Sequence, residues 1–102
     1  MSLSAFIIFM RLDVFLKTSR LILRRSLAQE FCDAGLVTVN GAAAKSSKEI
    51  KAGDEIAIKR RGRLTKLRVL EIPAAKQVSK GSAADLYEVL SDETIEADGL
   101  LS

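Results

Sequence analysis

The chain of 102 residues contains no histidine, no tryptophan, one proline and one cysteine, Cys32. Without histidine it lacks the commonest general base and zinc ligand, which excludes a Ser-His-Asp triad, a Cys-His pair and a zinc finger. A single cysteine forms no internal disulfide and fits a reducing, cytoplasmic setting. Cys32 sits in an apolar-periodic stretch, where it reads as a small buried hydrophobe rather than a nucleophile. No metal or cofactor is expected. No apolar run approaches the ~20 residues of a membrane span. Leu3 to Phe9 is apolar, but no basic segment precedes it and no cleavage motif follows. Residues 1–9 therefore read as an N-terminal extension ahead of a second methionine, Met10, and no membrane partner is expected.

What is present is positive charge, unevenly placed. The whole chain carries +3, yet residues 10–70 hold fourteen Lys and Arg against six Asp and Glu, and residues 71–102 hold two against seven. A basic body followed by an acidic tail points to a polyanionic partner. With 48% apolar residues the chain is composed like one small globular domain.

The pattern from Arg11 is helical, with Leu12, Phe15 and Leu16 forming an apolar stripe and Arg11, Lys17 and Arg20 lying away from it. A second helix is predicted from Ser26, with Gln29 completing a capping box, and Gly35 supplies the left-handed residue that ends it. Strands follow. Val37 and Val39 alternate with polar residues up to Asn40-Gly41, a type I′ hairpin signal. Ile56 and Ile58 alternate next, and a last strand from Leu64 to Ile72 places Leu67 and Val69 opposite Lys66 and Arg68. Pro73 is read as closing the sheet. After a polar connection from Ala74 to Gly81, Ser82 is expected to cap a short helix with Asp85, its apolar face made by Ala83, Leu86, Tyr87 and Leu90, and Ser91 to Ser102 to be disordered. The fold class is α+β. The expected division is an extension at 1–9, a domain at 10–73 that folds without its flanks, and a linker, helix and acidic tail at 74–102.

The cations collect in two groups. Arg11, Lys17, Arg20, Arg24 and Arg25 surround the first helix and the start of the second; Lys59, Arg60, Arg61, Arg63, Lys66 and Arg68 lie on the last hairpin. Arginine binds phosphate bidentately, and the N-terminus of helix two, beside Arg24, Arg25 and Ser26, adds free N–H groups and a positive dipole end. A phosphate track is the expectation. The residues alone leave open an RNA-binding protein, a helix-turn-helix DNA-binding module and a protein-interaction adaptor working through the apolar N-terminus and the helix from Ala83 to Leu90. Flanking cations and a basic hairpin suit an irregular RNA surface better than a major groove. An enzyme is disfavoured, since Asp13, Glu30 and Asp33 have no evident partner acid, metal ligand or nucleophile.

The run Arg11-Leu12-Asp13-Val14-Phe15-Leu16-Lys17, then Arg20-Leu21, Arg24-Arg25-Ser26-Leu27-Ala28, Gly35-Leu36-Val37-Thr38-Val39-Asn40-Gly41 and Gly53-Asp54-Glu55-Ile56 resembles the S4-type RNA-binding domain across residues 10 to 60. The resemblance is closest to the stand-alone S4 proteins of bacterial ribosome-associated quality control and the related small heat-shock S4 protein. It implies two helices packed on a small, mostly antiparallel sheet, and RNA as the ligand. It further implies a free large ribosomal subunit with its ribosomal RNA and peptidyl-tRNA as partners, and a non-enzymatic role; a monomer is expected. Carried over by position, Arg11, Arg20, Arg24 and Arg25 match basic residues of the motif and Asp13 matches its acid, with Lys17, Ser26, Lys59, Arg60, Arg61 and Arg63 added from placement. Val14 and Leu23 stand where these relatives often have lysine, which leaves the arginines more of the affinity.

Overall fold

The computed structural model describes residues 9–73 and 79–94; the expectations for residues 1–8, 74–78 and 95–102 lie outside the described residues. The chain opens with a two-residue strand β1 (Met10–Arg11), paired antiparallel with a later one, β4 (Glu49–Ile50). That pairing brings the 46–48 backbone over the start of helix α1 (Leu12–Thr18). The Leu12 and Asp13 N–H groups donate to the Lys48 and Ser46 carbonyls at 2.7 and 3.1 Å, so α1 begins satisfied without a side-chain cap. Leu12, Phe15 and Leu16 are fully buried and Lys17 is exposed, as the stripe requires.

Helix α2 (Arg25–Asp33) starts earlier than expected: its N-cap is Arg24, and no side-chain cap forms. The Ser26 and Gln29 capping box is therefore corrected. Ser26 falls at the second helical position, where its hydroxyl cannot cap, and the Gln29 Nε2 instead donates to the Asp13 carboxylate at 2.9 Å. The other end follows the sequence. The Gly35 N–H donates to Cys32 O and the Leu36 N–H to Phe31 O, a Schellman motif with Gly35 at φ +76°.

Strands β2 (Val37–Val39) and β3 (Ala42–Ala43) form the expected hairpin, with Asn40 at φ +53° and Gly41 at +88°. Strands β5 (Glu55–Arg60) and β6 (Arg63–Val69) turn through Arg61 and Gly62, also at positive φ. Asn40 explains why the two halves of the sequence motif belong together. Its Nδ2 donates to Asp54 Oδ1 at 3.2 Å and its Oδ1 accepts from the Glu55 N–H at 3.0 Å, so the first hairpin is tied to the entry of β5.

The largest departure is at the C-terminal end. Helix α3 (Lys80–Ala84) is capped by Ser79, whose Oγ accepts from the Ser82 N–H at 3.2 Å; Ser82 is not the cap. From Tyr87 the chain is strand, β7 (Tyr87–Thr94), antiparallel to β6, where the apolar spacing predicts helix and then disorder from Ser91. Without β7, the outer edge of β6 would leave its backbone groups without strand partners. Tyr87 and Val89 are good strand formers, Tyr87 falls opposite Val69, and Glu88 and Asp92 meet Arg68 and Arg63. Leu86 is buried in the chain's own core, so the helical face read as a surface for a protein partner does not exist.

The five strands run in the order β3-β2-β5-β6-β7, every neighbouring pair antiparallel. Val37, Val39, Ile56, Ile58, Leu67 and Val69 form one buried face, in a single cluster with Leu12, Phe15, Leu16, Ile22, Ala28 and Cys32 of the helical layer. Among the described residues no helix is long and apolar enough to cross a membrane.

Candidate nucleic-acid interface

The helix pair is locked by one buried acid. Asp13 is fully buried, and its carboxylate accepts from Arg11 Nε and Nη2 at 3.1 Å each, from Arg25 Nε at 3.2 Å and from Gln29 Nε2. Burial by itself would push this carboxyl up. The hydrogen bonds from Arg11, Gln29 and Arg25 outweigh it and bring the pKa down to about 2. Asp13 was placed among the RNA-binding residues on the resemblance; fully enclosed, it instead aims two guanidinium groups that remain half exposed.

Arg24 and Ser26 stand exposed at the start of α2, whose first turn holds no acidic residue and no side-chain cap. The helix thus offers unsatisfied N–H groups between Arg24 and Arg25, the geometry in which phosphate binds a helix N-terminus. Lys17 is exposed on α1. Arg20 closes α1 in a left-handed conformation, φ +63°, its N–H donating to Lys17 O. A non-glycine residue at that φ carries strain of order 1 kcal/mol.

The two basic groups of the sequence meet at an open groove of about 790 Å³, where Arg20 and Leu23 of the α1–α2 loop, Leu27 and Phe31 of α2, and Lys59 to Gly62 of the β5–β6 turn converge. Arg60 holds these parts together. Its Nη2 donates to Leu21 O at 3.1 Å and its guanidinium lies 5.2 Å from the centre of the Phe31 ring. Among the described residues no acid pairs with Lys17, Arg20, Arg24, Lys59 or Arg61.

Two further members of the second group, Arg63 and Arg68, are spent differently. Arg63 pairs with Asp92 at 2.9 Å, and Arg68 reaches Glu55 at 3.3 Å and Glu88 at 3.9 Å. The acidic residues of β7 thus neutralise the outer part of the hairpin and leave its tip positive. Of the two apolar positions read as departures from the family pattern, Val14 is buried in α1 and Leu23 is 72% exposed at the groove. Leu27 and Phe31, with Ala34, read as an inward face from their helical spacing, whereas Leu27 is 37% exposed and Phe31 only partly buried at the groove; Leu23 lies in the loop before α2, where no periodicity marks it. Cys32 is buried and its thiol is pushed up to about 11, chiefly by desolvation, with Asp13 and Asp33 adding to it, so it remains a protonated packing residue. Among the described residues no group of three potential ligands is placed to hold a metal ion.

A helix pair with a free N-terminus, docked on an antiparallel sheet whose hairpin tip extends the same positive rim, defines an RNA-binding protein of the S4 type, and the S4 domain family matches residues 10–56. The RQC P-site tRNA stabilizing factor of Halalkalibacterium halodurans is 52% identical over 87 residues, covering 84% of this chain and 96% of that protein. Its counterpart in Bacillus subtilis is 42% identical over 86 residues, 84% of this chain and 98% of that protein. The chain belongs to the family of the RQC P-site tRNA stabilizing factors. Its fold is also that of Heat Shock Protein 15 of Vibrio cholerae, solved as a trimer, with a TM-score of 0.74 and 28% identity over 82% of this chain and 84% of that one.

Proposed function

We propose that this protein binds the large ribosomal subunit and a P-site tRNA, through ribosomal RNA and tRNA backbone, in the ribosome-associated quality control of stalled peptidyl-tRNA. The observation that carries this is a set of cations that pair with no acid among the described residues, Lys17, Arg20, Arg24, Lys59 and Arg61, spread over the helix pair and the hairpin tip. Two separate elements presenting positive charge fit two RNA segments at a junction better than one uniform duplex. The names of the relatives supply the tRNA, its P site and the quality-control setting.

The role is binding rather than catalysis, in the cytoplasm. The protein acts as a monomer, a reading supported by its sheet edges: β3 is two residues long, and β7 carries Glu88, Asp92 and Glu93, features that discourage edge-to-edge pairing. The test is sucrose-gradient fractionation of cells expressing a tagged copy, with sequencing of the RNA recovered on it. Large-subunit fractions enriched in large-subunit ribosomal RNA and tRNA are expected. Recovery with small subunits or with messenger RNA alone contradicts the reading.

A further inference from the structure

Phosphate contacts account for the rim of the groove but not for its apolar lining. Leu23 is 72% exposed and Leu27 37% exposed, side by side with Arg20 and Arg61. Exposed leucines ringed by cations contribute nothing to backbone binding, and the part of each left in water forfeits the stabilisation that covering it would give. The Phe31 ring is only partly buried, and the groove side of this region is completed by the Arg60 guanidinium held on that ring and on Leu21 O. A guanidinium plane fixed in this way, next to two flexible aliphatic side chains, is a stacking platform of the kind that receives unstacked bases. The volume, about 790 Å³, lies within the roughly 300–1,000 Å³ of small-molecule pockets and is open along one side.

Resting on the RNA-binding reading above, we propose that the groove takes an extruded nucleobase of the bound RNA, its ring against Leu23, Leu27 and the Arg60–Phe31 pair and its flanking phosphates against Arg20, Lys59 and Arg61. The charge of the rim selects the occupant. A neutral apolar peptide would leave three cations unused, whereas a nucleotide brings an apolar ring face and an anion on either side of it at the spacing of a single residue. An unpaired base is required, because a base within a duplex offers no ring face.

The test compares the full-length protein with Leu23→Ser on large ribosomal subunits carrying tRNA, measuring affinity at several salt concentrations together with chemical probing of the RNA bases. Leu23 is almost free of neighbours, so the variant folds; its circular dichroism and melting curve check this. The expected result is an affinity loss of roughly ten-fold, from the apolar contact of Leu23 with the base, with the slope of log affinity against log salt unchanged. One or a few bases should change reactivity on binding of the wild type and not of the variant. Affinity equal to wild type overturns the proposal, and so does a loss with no base whose reactivity responds, which would assign the groove to a protein segment. If the wild type itself fails to bind the subunits in a salt-dependent way, the RNA-binding reading beneath falls first, and that outcome is visible without the variant.

Discussion

Replacing Asp13 by Ala is expected to lower stability by about 3 kcal/mol, a fall in melting temperature of roughly 12–24 °C, and to weaken RNA binding although the protein becomes more positive. The stability loss follows from removing an acceptor that is fully buried and takes bonds from Arg11, Arg25 and Gln29 across the α1–α2 joint. The freed arginines can return to water because they are half exposed, which keeps the cost below that of stranding a buried charge. The effect on RNA is the more discriminating one. Simple electrostatics predicts tighter binding when a negative charge is lost; an Asp13 that aims Arg25 beside the α2 N-terminus predicts weaker binding with an unchanged salt slope. Urea unfolding and RNA titration of Asp13→Ala, with Asp13→Asn as a near-isosteric control, measure both.

The same carboxylate gives a pH dependence. Its folded pKa of about 2 lies below the ~3.9 of an unfolded chain, so the unfolded state binds more protons and stability rises with pH. The contribution, about 2 kcal/mol after allowing for the screening of half-exposed arginines, is complete above about pH 5 and is lost as pH falls towards 2. Asp54 is also held below its usual range: burial would raise it, but the Lys51 N–H, the Asn40 amide and the Lys51 ammonium outweigh that, so its contribution is present above the unfolded carboxyl pKa and is lost as pH falls through its lowered one. In Asp13→Asn the acid-induced loss between pH 5 and 2 should be smaller than in the wild type.

Ending the chain after Pro73 is expected to lower the melting temperature by more than about 12 °C, or to abolish cooperative unfolding. Such a chain loses Leu86 from the core, worth roughly 2 kcal/mol of burial, and also the seven strand partners that β7 gives to β6 and the bonds from the Leu70 and Glu71 N–H groups to Leu86 O. Leu67 and Val69, both buried, would come to lie on an edge strand. A thermal melt of residues 1–73 against the full chain is sufficient. Equal midpoints would mean that β7 is an accessory to a domain complete without it.

The elements governed by local signals were legible. The Leu12, Phe15 and Leu16 stripe, Gly35 at the end of α2, and the Asn40-Gly41 turn each rest on interactions within a few residues. What the sequence concealed was decided at long range. Tyr87 to Leu90 carries an apolar spacing compatible with helix, and only the open edge of β6 selects strand. Gln29 has the spacing of a cap partner, and only the buried Asp13 claims it. The cationic site was half legible for a related reason. Composition located both basic groups, and the S4-like motif located Arg11, Arg20, Arg24 and Arg25. No local pattern shows that Arg63 and Arg68 are neutralised by residues more than ten positions away, or that Arg60 is drawn onto Phe31 to make a groove.

The central claim is that the cations left without acidic partners bind RNA phosphate, and the salt dependence of binding measures it directly. Log affinity for large-subunit RNA, plotted against log salt concentration, should give a slope that becomes shallower by roughly 0.7–0.9 for each of Arg24 and Arg61 replaced by Ala, while Arg68→Ala, whose partners are Glu55 and Glu88, should change it little. A folded Arg24→Ala/Arg61→Ala protein with wild-type affinity and slope would contradict the account.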